Sequence, residues 1–400
     1  MDNRIVCLIT ALAIGAATPA FAQEAEPQGR FRLGPLRFTP SIALTNMGVD
    51  TNVFNESDDP KQDQIGAVGP AADVWMRLGR SRVSGRVSGQ YLYFKQYDHQ
   101  RAWNSSDDVK WEVPLSRLTP FIIGTYANTK ARPGYEIDSR ARQTVDSLKL
   151  GSELRLSGKT SLVVSGKRSH VAYDENETFL GADLATALNN TTNSEQLQLR
   201  YRLTPLTTFV VSGEGLQDRF TFDTVRNADS IKVMPGFEMK PSALISGSAF
   251  VGYRHFDAVD PALPDFKGLV ALVDAVYTAR STQIGVNVSR DVTFSYQAAQ
   301  PYYTLTDVGL RLTERITHSW DVIGRGGRQT LDYARIRSDA AAAGQVDHVI
   351  EYGGGIGYRI GRTLRFGVDG MYYHRRSSDA KLRNYEGARF GASVAYGLPQ

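Results

Sequence analysis

Charged side chains of both signs recur at alternate positions along this sequence. Arg200 and Arg202, for example, alternate with Leu199, Tyr201 and Leu203. If such segments are strands, successive side chains point to opposite faces, so one face is charged and the other is apolar. A charged face can orient a polar solute, and it can equally serve only to keep a water-filled interior hydrated. On this pattern we predict lumen-lining positions at Arg77, Arg82, Arg86, Glu153, Arg155, Arg200, Arg202, Asp291, Glu351, Arg365 and Asp369.

Residues suited to catalysis do not form a recognisable centre in the sequence. The Gly-x-Ser-x-Gly motif of hydrolases is absent, and the six histidines show no His-Glu-x-x-His zinc pattern. The glycine-rich run 353–357 lies within a strand-like segment and opens no helix, so it does not match a phosphate-binding loop. Acidic loops such as 174–177 lack the spacing of a calcium loop. We therefore predict a protein that is not an enzyme and that holds no cofactor or metal.

Composition excludes several classes of protein. The 46 basic and 42 acidic residues give a net charge of +4 that is dispersed over the chain, and a nucleic-acid binder needs a clustered basic face. A single cysteine excludes a disulfide framework, and a mean hydropathy of −0.30 excludes a bundle of membrane helices. The 37 glycines, 19 tyrosines and 17 phenylalanines are typical of a protein rich in β-sheet.

The first residues have the pattern of a secretory signal. Arg4 precedes an apolar run from Ile5 to Ala17, and an Ala-Phe-Ala cleavage site ends at Ala22, so Gln23 is the predicted mature N-terminus. The run of about 13 residues is too short to span a bilayer, which needs about 20. The predicted organisation is a signal peptide for Sec-type export at 1–22, a short periplasmic lead at 23–35 and a single domain at 36–400.

The remainder of the chain has the period of two that is typical of β-strands. Between Ser281 and Phe294, apolar residues occupy every second position from Ile284 to Val292, except at Arg290. Tight turns follow at intervals of roughly 40 residues, which accommodate two membrane-spanning strands and one longer loop. A propeller of similar repeat length would need four short strands in each repeat. The predicted turns centre near Arg80, Ser116, Gly158, Thr204, Pro241, Arg280, Arg315 and Gly361.

These eight hairpins, with one strand before them (Leu36 to Asn46) and one after (Tyr385 to Tyr396), predict 8 × 2 + 2 = 18 strands, in a range of 16–18. The fold class is all-β: a transmembrane up-and-down antiparallel β-barrel with short periplasmic turns and long extracellular loops. A closed sheet is also the way in which a chain without apolar helices satisfies its backbone groups in lipid. We therefore predict that the protein lies in the outer membrane of a Gram-negative bacterium. Its predicted partners are the lipid and lipopolysaccharide of that membrane, and it is not expected to bind nucleic acid.

Two segments of this predicted barrel have further features. The last strand, Tyr385 to Tyr396, ends in an aromatic residue, as expected of a segment that binds the outer-membrane insertion machinery. The loop Phe179 to Asn190 has helical spacing at Leu180, Leu184 and Leu188. We predict that this loop is a candidate constriction or partial plug if it folds inward. An outward cap or an unstructured loop is the alternative, and the sequence leaves both open.

Two other segments resemble a known family. One runs Asp50-Thr51-Asn52-Val53-Phe54 and is followed by Asp63 and Pro70, and the other spans Arg132 to Arg142. Both are similar to segments of the Putative beta-barrel porin 2 family of outer-membrane proteins. Members are often encoded beside exopolysaccharide genes, so the resemblance implies a polar, porin-like channel that exports an exopolysaccharide or another hydrophilic solute. A general diffusion porin and a non-conducting structural or receptor barrel, plugged by its loops, are the alternatives.

Overall fold

One closed antiparallel sheet accounts for nearly all of the structure. The computed structural model describes residues 29–334, 344–378 and 384–397. The predicted signal peptide and its cleavage site, at Ala22 and Gln23, lie outside the described residues. Each long strand pairs with its neighbours in the chain, and the first pairs with the last, at Ile42 with Tyr396 and at Asp50 with Arg389. The predicted all-β barrel of 18 strands is therefore confirmed.

The barrel strands are numbered here in chain order. They are β1 (Leu36–Asp50), β2 (Asp63–Leu78), β3 (Ser81–Phe94), β4 (Ala102–Glu112), β5 (Leu118–Ala131), β6 (Ala141–Arg155), β7 (Thr160–Tyr173), β8 (Asn190–Arg202), β9 (Thr207–Phe220), β10 (Ala228–Met239), β11 (Ile245–Ala258), β12 (Phe266–Ala279), β13 (Thr282–Phe294), β14 (Tyr302–Arg315), β15 (Trp320–Tyr333), β16 (Val346–Ile360), β17 (Leu364–Ser377) and β18 (Tyr385–Tyr396).

A few short elements accompany the barrel strands. The strand Phe31–Leu33 forms a hairpin with the start of β1, within the region predicted as a short lead. Between β7 and β8, the strands Thr178–Phe179 and Ala182–Asp183 pair with each other and precede the helix α1 (Leu184–Leu188). Short 3-10 turns lie at Asp98–Gln100 and Thr224–Arg226.

Among the described residues, no helix combines the length and the apolar character needed to cross a membrane.

The two ends of the barrel differ in the length of their connections. At one end, which we call the turn end, two residues connect β2 to β3, and Gly79 there has φ +60°. That backbone conformation is costly for residues with a Cβ, which explains the glycine. At the opposite loop end, longer connections follow β1, β5 and β7. This asymmetry is the one predicted from the spacing of the turns.

The two faces of the sheet differ in polarity as the alternation predicted. On β8, Leu197, Leu199 and Tyr201 are exposed on the outside of the barrel. The alternate residues point inward, and of these Gln198 and Arg200 are buried. The exposed apolar side chains form the surface expected to contact lipid, which removes them from water as a core would.

The first strand contains an irregularity beside the seam where the barrel closes. The pairing of β1 with both neighbours shifts register around Asn46, which has φ +53°. Such a bulge adds one residue to a strand. Ile42 is exposed before it and Met47 is exposed after it, so the outward positions change from even to odd numbers. As a result Asp50, at the end of β1, is completely buried.

Candidate functional site

A nine-residue connection between β5 and β6 crosses the interior of the barrel; we call it the constriction segment (Arg132–Arg140). The Tyr135 hydroxyl donates to Asp307 Oδ2 over 3.2 Å. Asp307 belongs to β14, which lies nine strands from β5 in a ring of eighteen, and is therefore on the opposite wall. Pro133 and Gly134, with φ +76° at the glycine, turn the chain inward directly after β5.

The far end of the constriction segment is held by Arg375 on β17. Its Nη1 donates to the Tyr135 carbonyl (2.9 Å), the Glu136 carbonyl (3.1 Å) and Asp138 Oδ2 (2.9 Å). Its Nη2 donates to Asp347 on β16. Arg375 and Asp347 are almost completely buried. One guanidinium between two carboxylates makes charge-assisted hydrogen bonds, which are stronger than neutral ones and directional.

A second contact fixes the middle of the segment to the loop between β13 and β14. Glu136 is 2% exposed, and its Oε1 accepts from Ser295 Oγ over 2.6 Å. Its Oε2 accepts from the backbone N–H of Tyr296 over 3.2 Å. Arg226 donates from Nε to the Ser295 carbonyl over 3.1 Å, so a further loop braces the same point. The carboxylate of Glu136 is therefore buried with its hydrogen bonds satisfied.

The near end of the segment contacts the loop after β1. Arg132 donates from Nη2 to the Val53 carbonyl and from Nε to the Asp138 carbonyl, each over 2.6 Å. Asn52 in turn donates to the carbonyls of Glu56 (2.8 Å) and Glu386 (2.9 Å). The two segments that resemble the porin family thus meet in space, and their polar residues position the loops.

Asp50 belongs to the first of these two segments and joins it to the barrel wall. Its carboxylate accepts from the Tyr373 hydroxyl (2.7 Å), from Arg389 Nη2 (2.8 Å) and from the Asn52 N–H (3.1 Å). Tyr373 and Arg389 belong to β17 and β18, across the seam from β1. Asp50 therefore ties the first loop to the last strands.

The β7–β8 connection also lies over the barrel interior; we call its residues Phe179–Leu188 the cover segment. Leu184 and Leu188 are buried in a cluster with Ile137 of the constriction segment and with Tyr296. Phe179 packs edge-on against Tyr296, with ring centres 5.1 Å apart. These contacts place the cover segment against the constriction segment.

Capping explains how so short a helix forms in the cover segment. Asp183 accepts from the Thr186 N–H over 2.6 Å, and this bond lowers the pKa of the Asp183 carboxyl. Leu180, in contrast, is 66% exposed. That Leu180, Leu184 and Leu188 restrict the passage of a solute stays a prediction.

The predicted lumen-lining residues lie on the strand face opposite the exposed apolar side chains. Several form ion pairs with the adjacent strand or with the next strand but one. Arg77 donates to the Gly79 carbonyl over 3.2 Å. Arg155 and Arg202 are the last residues of β6 and β8 at the turn end, and Glu153 precedes Arg155 by two residues on β6. The role of the predicted lumen-lining residues in conduction stays a prediction. The pairs are Arg82–Glu112 (3.7 Å), Arg86–Asp73 (2.9 Å), Arg200–Glu238, Asp291–Arg254 (2.8 Å), Arg365–Asp321 (2.6 Å) and Asp369–Arg325 (2.8 Å).

Glu351 points inward from β16, beside a run of glycines. A Cβ added at Gly353 would lie 2.2 Å from the backbone carbonyl oxygen of Gly370 on β17. Glycine therefore allows these two strands to approach closely, which is a structural role. Over the described ranges, no group of three or more histidine, cysteine or acidic side chains is arranged to hold a metal.

The sequence prediction did not include the residues that anchor the constriction segment. Asp138, Asp307, Asp347 and Arg375 are buried or half-buried polar groups. The alternation assigned Asp307 and Asp347 to the inward face, but none of the four was predicted to anchor this segment. The available signal was the density of charge in the segment itself, where Glu136, Asp138 and Arg140 occupy every second position after a Pro-Gly turn. At the loop end, a cavity of about 360 Å³ lies between the loop after β1, the constriction segment and the cover segment. Its lining includes Phe54, Asp58, Asp138, Phe179 and Leu180.

Comparison with known proteins gives a family and a set of similar folds. A family model described as Putative beta-barrel porin 2 matches residues 25–397. The chain is similar to a BenF-like porin from Pseudomonas fluorescens Pf-5, at 10% identity and a TM-score of 0.48, covering 92% of this chain and 100% of that one. It is also similar to the outer membrane protein OpdK from Pseudomonas aeruginosa, at 11% identity and a TM-score of 0.48, covering 90% and 98%. No curated protein sequence matches the chain significantly.

Proposed function

The chain belongs to the Putative beta-barrel porin 2 family of outer-membrane barrels, and from this premise we propose that it is a channel for small hydrophilic solutes. The observation that carries the proposal is the constriction segment, which is anchored to β14 on the opposite wall through Tyr135 and to β17 through Arg375. An 18-stranded barrel is otherwise wide enough for an aqueous channel. A fixed polar crossing therefore sets the aperture.

The inner wall supports passive conduction of a polar solute. On β9 to β13, Lys232 lies 3.2 Å from Glu214 and 3.5 Å from Asp291, and Arg254 lies 2.8 Å from Asp291. Because these charges compensate one another, a passing solute meets hydrogen-bond donors and acceptors and is not trapped by a strong electrostatic potential of one sign. Such a surface replaces part of the hydration of the solute and still releases it.

The family resemblance also implies exopolysaccharide export, which is a finer assignment. A polymer must thread through the channel as a continuous chain, and the anchored segment narrows the route at the loop end. We therefore assign small solutes as the substrate class. Export of a polysaccharide would require Arg375 to release Asp138, which makes the two assignments separable by experiment.

Single-channel recording in planar bilayers tests the proposal directly. We expect the mature barrel to give small, stable conductance steps. Replacing 133–139 with a short Gly-Ser linker should increase the conductance several-fold. The matched control replaces 180–187 of the cover segment in the same way and should change conductance much less. A correctly folded barrel that stays silent in both forms contradicts the channel and favours a plugged receptor or structural barrel.

A gene deletion separates small-solute passage from polymer export. We expect surface polysaccharide to be unchanged in the deletion strain, and uptake of small hydrophilic solutes to fall. Loss of surface polysaccharide, restored by the unaltered gene, would support export instead. The parent strain tests the processing of the chain. We expect the mature protein to begin at Gln23, as determined by N-terminal sequencing.

A further inference from the structure

Arg140, the last residue of the constriction segment, has an unusual environment for a guanidinium. Its Cζ lies 4.4 Å from the centre of the Phe94 ring, so the planar group covers the aromatic face. Within the described parts of the chain, its side chain makes no hydrogen bond, and its Nη1 is buried without an acceptor. The other arginines nearby, Arg132, Arg375 and Arg389, all donate to oxygen atoms.

The carboxylate that attracts Arg140 does not compensate this charge. Asp50 attracts Arg140 at a distance, but its oxygens already accept from Tyr373 and Arg389. Burial, with repulsion from Arg132 and Arg389, lowers the pKa of Arg140 to about 9. The protonated form is therefore held in a place where it lacks an anionic contact.

Stacking on Phe94 accounts for only part of the geometry. A cation–π contact uses the face of the guanidinium, whereas its N–H groups lie in the plane of the group and point outward from the edge. The neighbouring Ser139 hydroxyl is also buried without a partner among the described residues. Two adjacent residues thus present unsatisfied donors inside a segment whose other polar groups are paired.

We propose that Arg140 and the Ser139 hydroxyl form an oxyanion-binding site in the constriction. The site takes the carboxylate or phosphate group of a small solute, for which the planar fork of arginine is suited. This inference rests on the proposed channel and narrows its substrate class to anions. Arg140 is half-buried as a residue, whereas its Nη1 and the Ser139 hydroxyl are covered, so a solute reaches these two donors when the segment shifts.

Ion selectivity tests the site in the conducting protein. Under a KCl gradient in planar bilayers, the reversal potential of the unaltered barrel should show selectivity for chloride. Arg140→Gln should reduce the ratio of chloride to potassium permeability several-fold. Arg168→Gln is the matched control, because Arg168 is exposed on the outer face of β7 and carries the same charge. It should leave the reversal potential unchanged.

Binding is measured separately, on the full mature barrel in detergent. Sodium acetate and inorganic phosphate should each raise its melting temperature, with sodium chloride at equal ionic strength as the reference. Ser139→Ala should weaken that response. Arg140→Gln should weaken the apparent affinity by about tenfold or more, as expected for the loss of a charge-assisted hydrogen bond. Arg140→Lys keeps the charge and lacks the fork, so it should retain chloride selectivity and lose most of the oxyanion response.

The two measurements distinguish the site from the channel. A conducting barrel with no acetate or phosphate response, and with unchanged selectivity in Arg140→Gln, overturns the site and leaves the channel intact. A silent barrel that binds acetate or phosphate through Arg140 overturns the channel and retains the site. A response to phosphate and not to acetate keeps the site and assigns it to phosphorylated solutes, and the reverse assigns it to carboxylates.

Discussion

The constriction segment and the cover segment lie together at the loop end, and they are held by different kinds of contact. The constriction segment is fixed by hydrogen bonds and an ion pair to distant strands of the wall, above all through Arg375 on β17. The cover segment is held by apolar contacts of Leu184 and Leu188. Hydrogen bonds to charged groups require particular distances and angles, whereas apolar burial tolerates several arrangements. In the proposed channel, the polar contacts therefore fix the aperture, and the apolar contacts of the cover segment support the constriction segment from the loop end.

The largest effect is expected at Arg375. Arg375→Gln removes the cation between Asp138 and Asp347 and leaves two buried carboxylates without a compensating positive charge, which destabilises the anchored state by about 3–5 kcal/mol. We expect higher single-channel conductance and a lower urea midpoint in detergent. Unchanged conductance in a folded Arg375→Gln barrel would show that the aperture depends on other contacts.

The corresponding change in the cover segment should affect stability more than conductance. Leu184→Ala truncates a completely buried side chain, at a cost of about 2–4 kcal/mol to the packing of this loop. Protease cleavage of the loop in the folded barrel should become faster, with conductance close to that of the unaltered protein. Leu180→Ala is the control, since Leu180 is exposed and should have little effect. A large rise in conductance for Leu184→Ala would mean that the cover segment sets the aperture.

A smaller effect is expected from removing a single hydroxyl of the anchor. Tyr135→Phe keeps the ring and deletes the donor to Asp307, which should cost about 1 kcal/mol. The expected result is more frequent fluctuation to a higher conductance level in bilayer recordings, without a change in the urea midpoint. Recordings indistinguishable from the unaltered barrel would remove this bond from the set that holds the segment.

The smallest effect is a dependence on pH. Burial lowers the pKa of Arg140 to about 9, so its charge is present below that pH and is lost as the pH rises through it. Arg132, Arg389 and Asp50 are the charged groups that act on it. Chloride selectivity should therefore decline between about pH 8 and pH 10 in the unaltered barrel. The Arg140→Gln barrel should show a flat profile, and an equal decline in both would assign the titration to another group.

The fold was predictable from the sequence because its signals are local. Alternation and turn spacing predicted the strand number, and β18 has the predicted bounds, Tyr385 to Tyr396. The first strand was predicted to end at Asn46, where the bulge interrupts the alternation, and it continues to Asp50. The site was not predictable in the same way. Arg375 and Asp138 are 237 residues apart, and no local period relates them.

The bulge at Asn46 has a consequence for how the barrel tolerates change at its seam. One extra residue in β1 shifts every later side chain of that strand to the other face, and so turns Asp50 inward to Arg389. Asp50 holds the first loop, and the Val53 carbonyl of that loop accepts from Arg132. A single residue inserted or deleted near Asn46 would thus disturb three contacts in turn: Asp50 with Arg389, Asp50 with Asn52, and Val53 with Arg132. The last of these belongs to the constriction segment. Strand length at the seam is consequently under tighter constraint than strand length elsewhere in the wall.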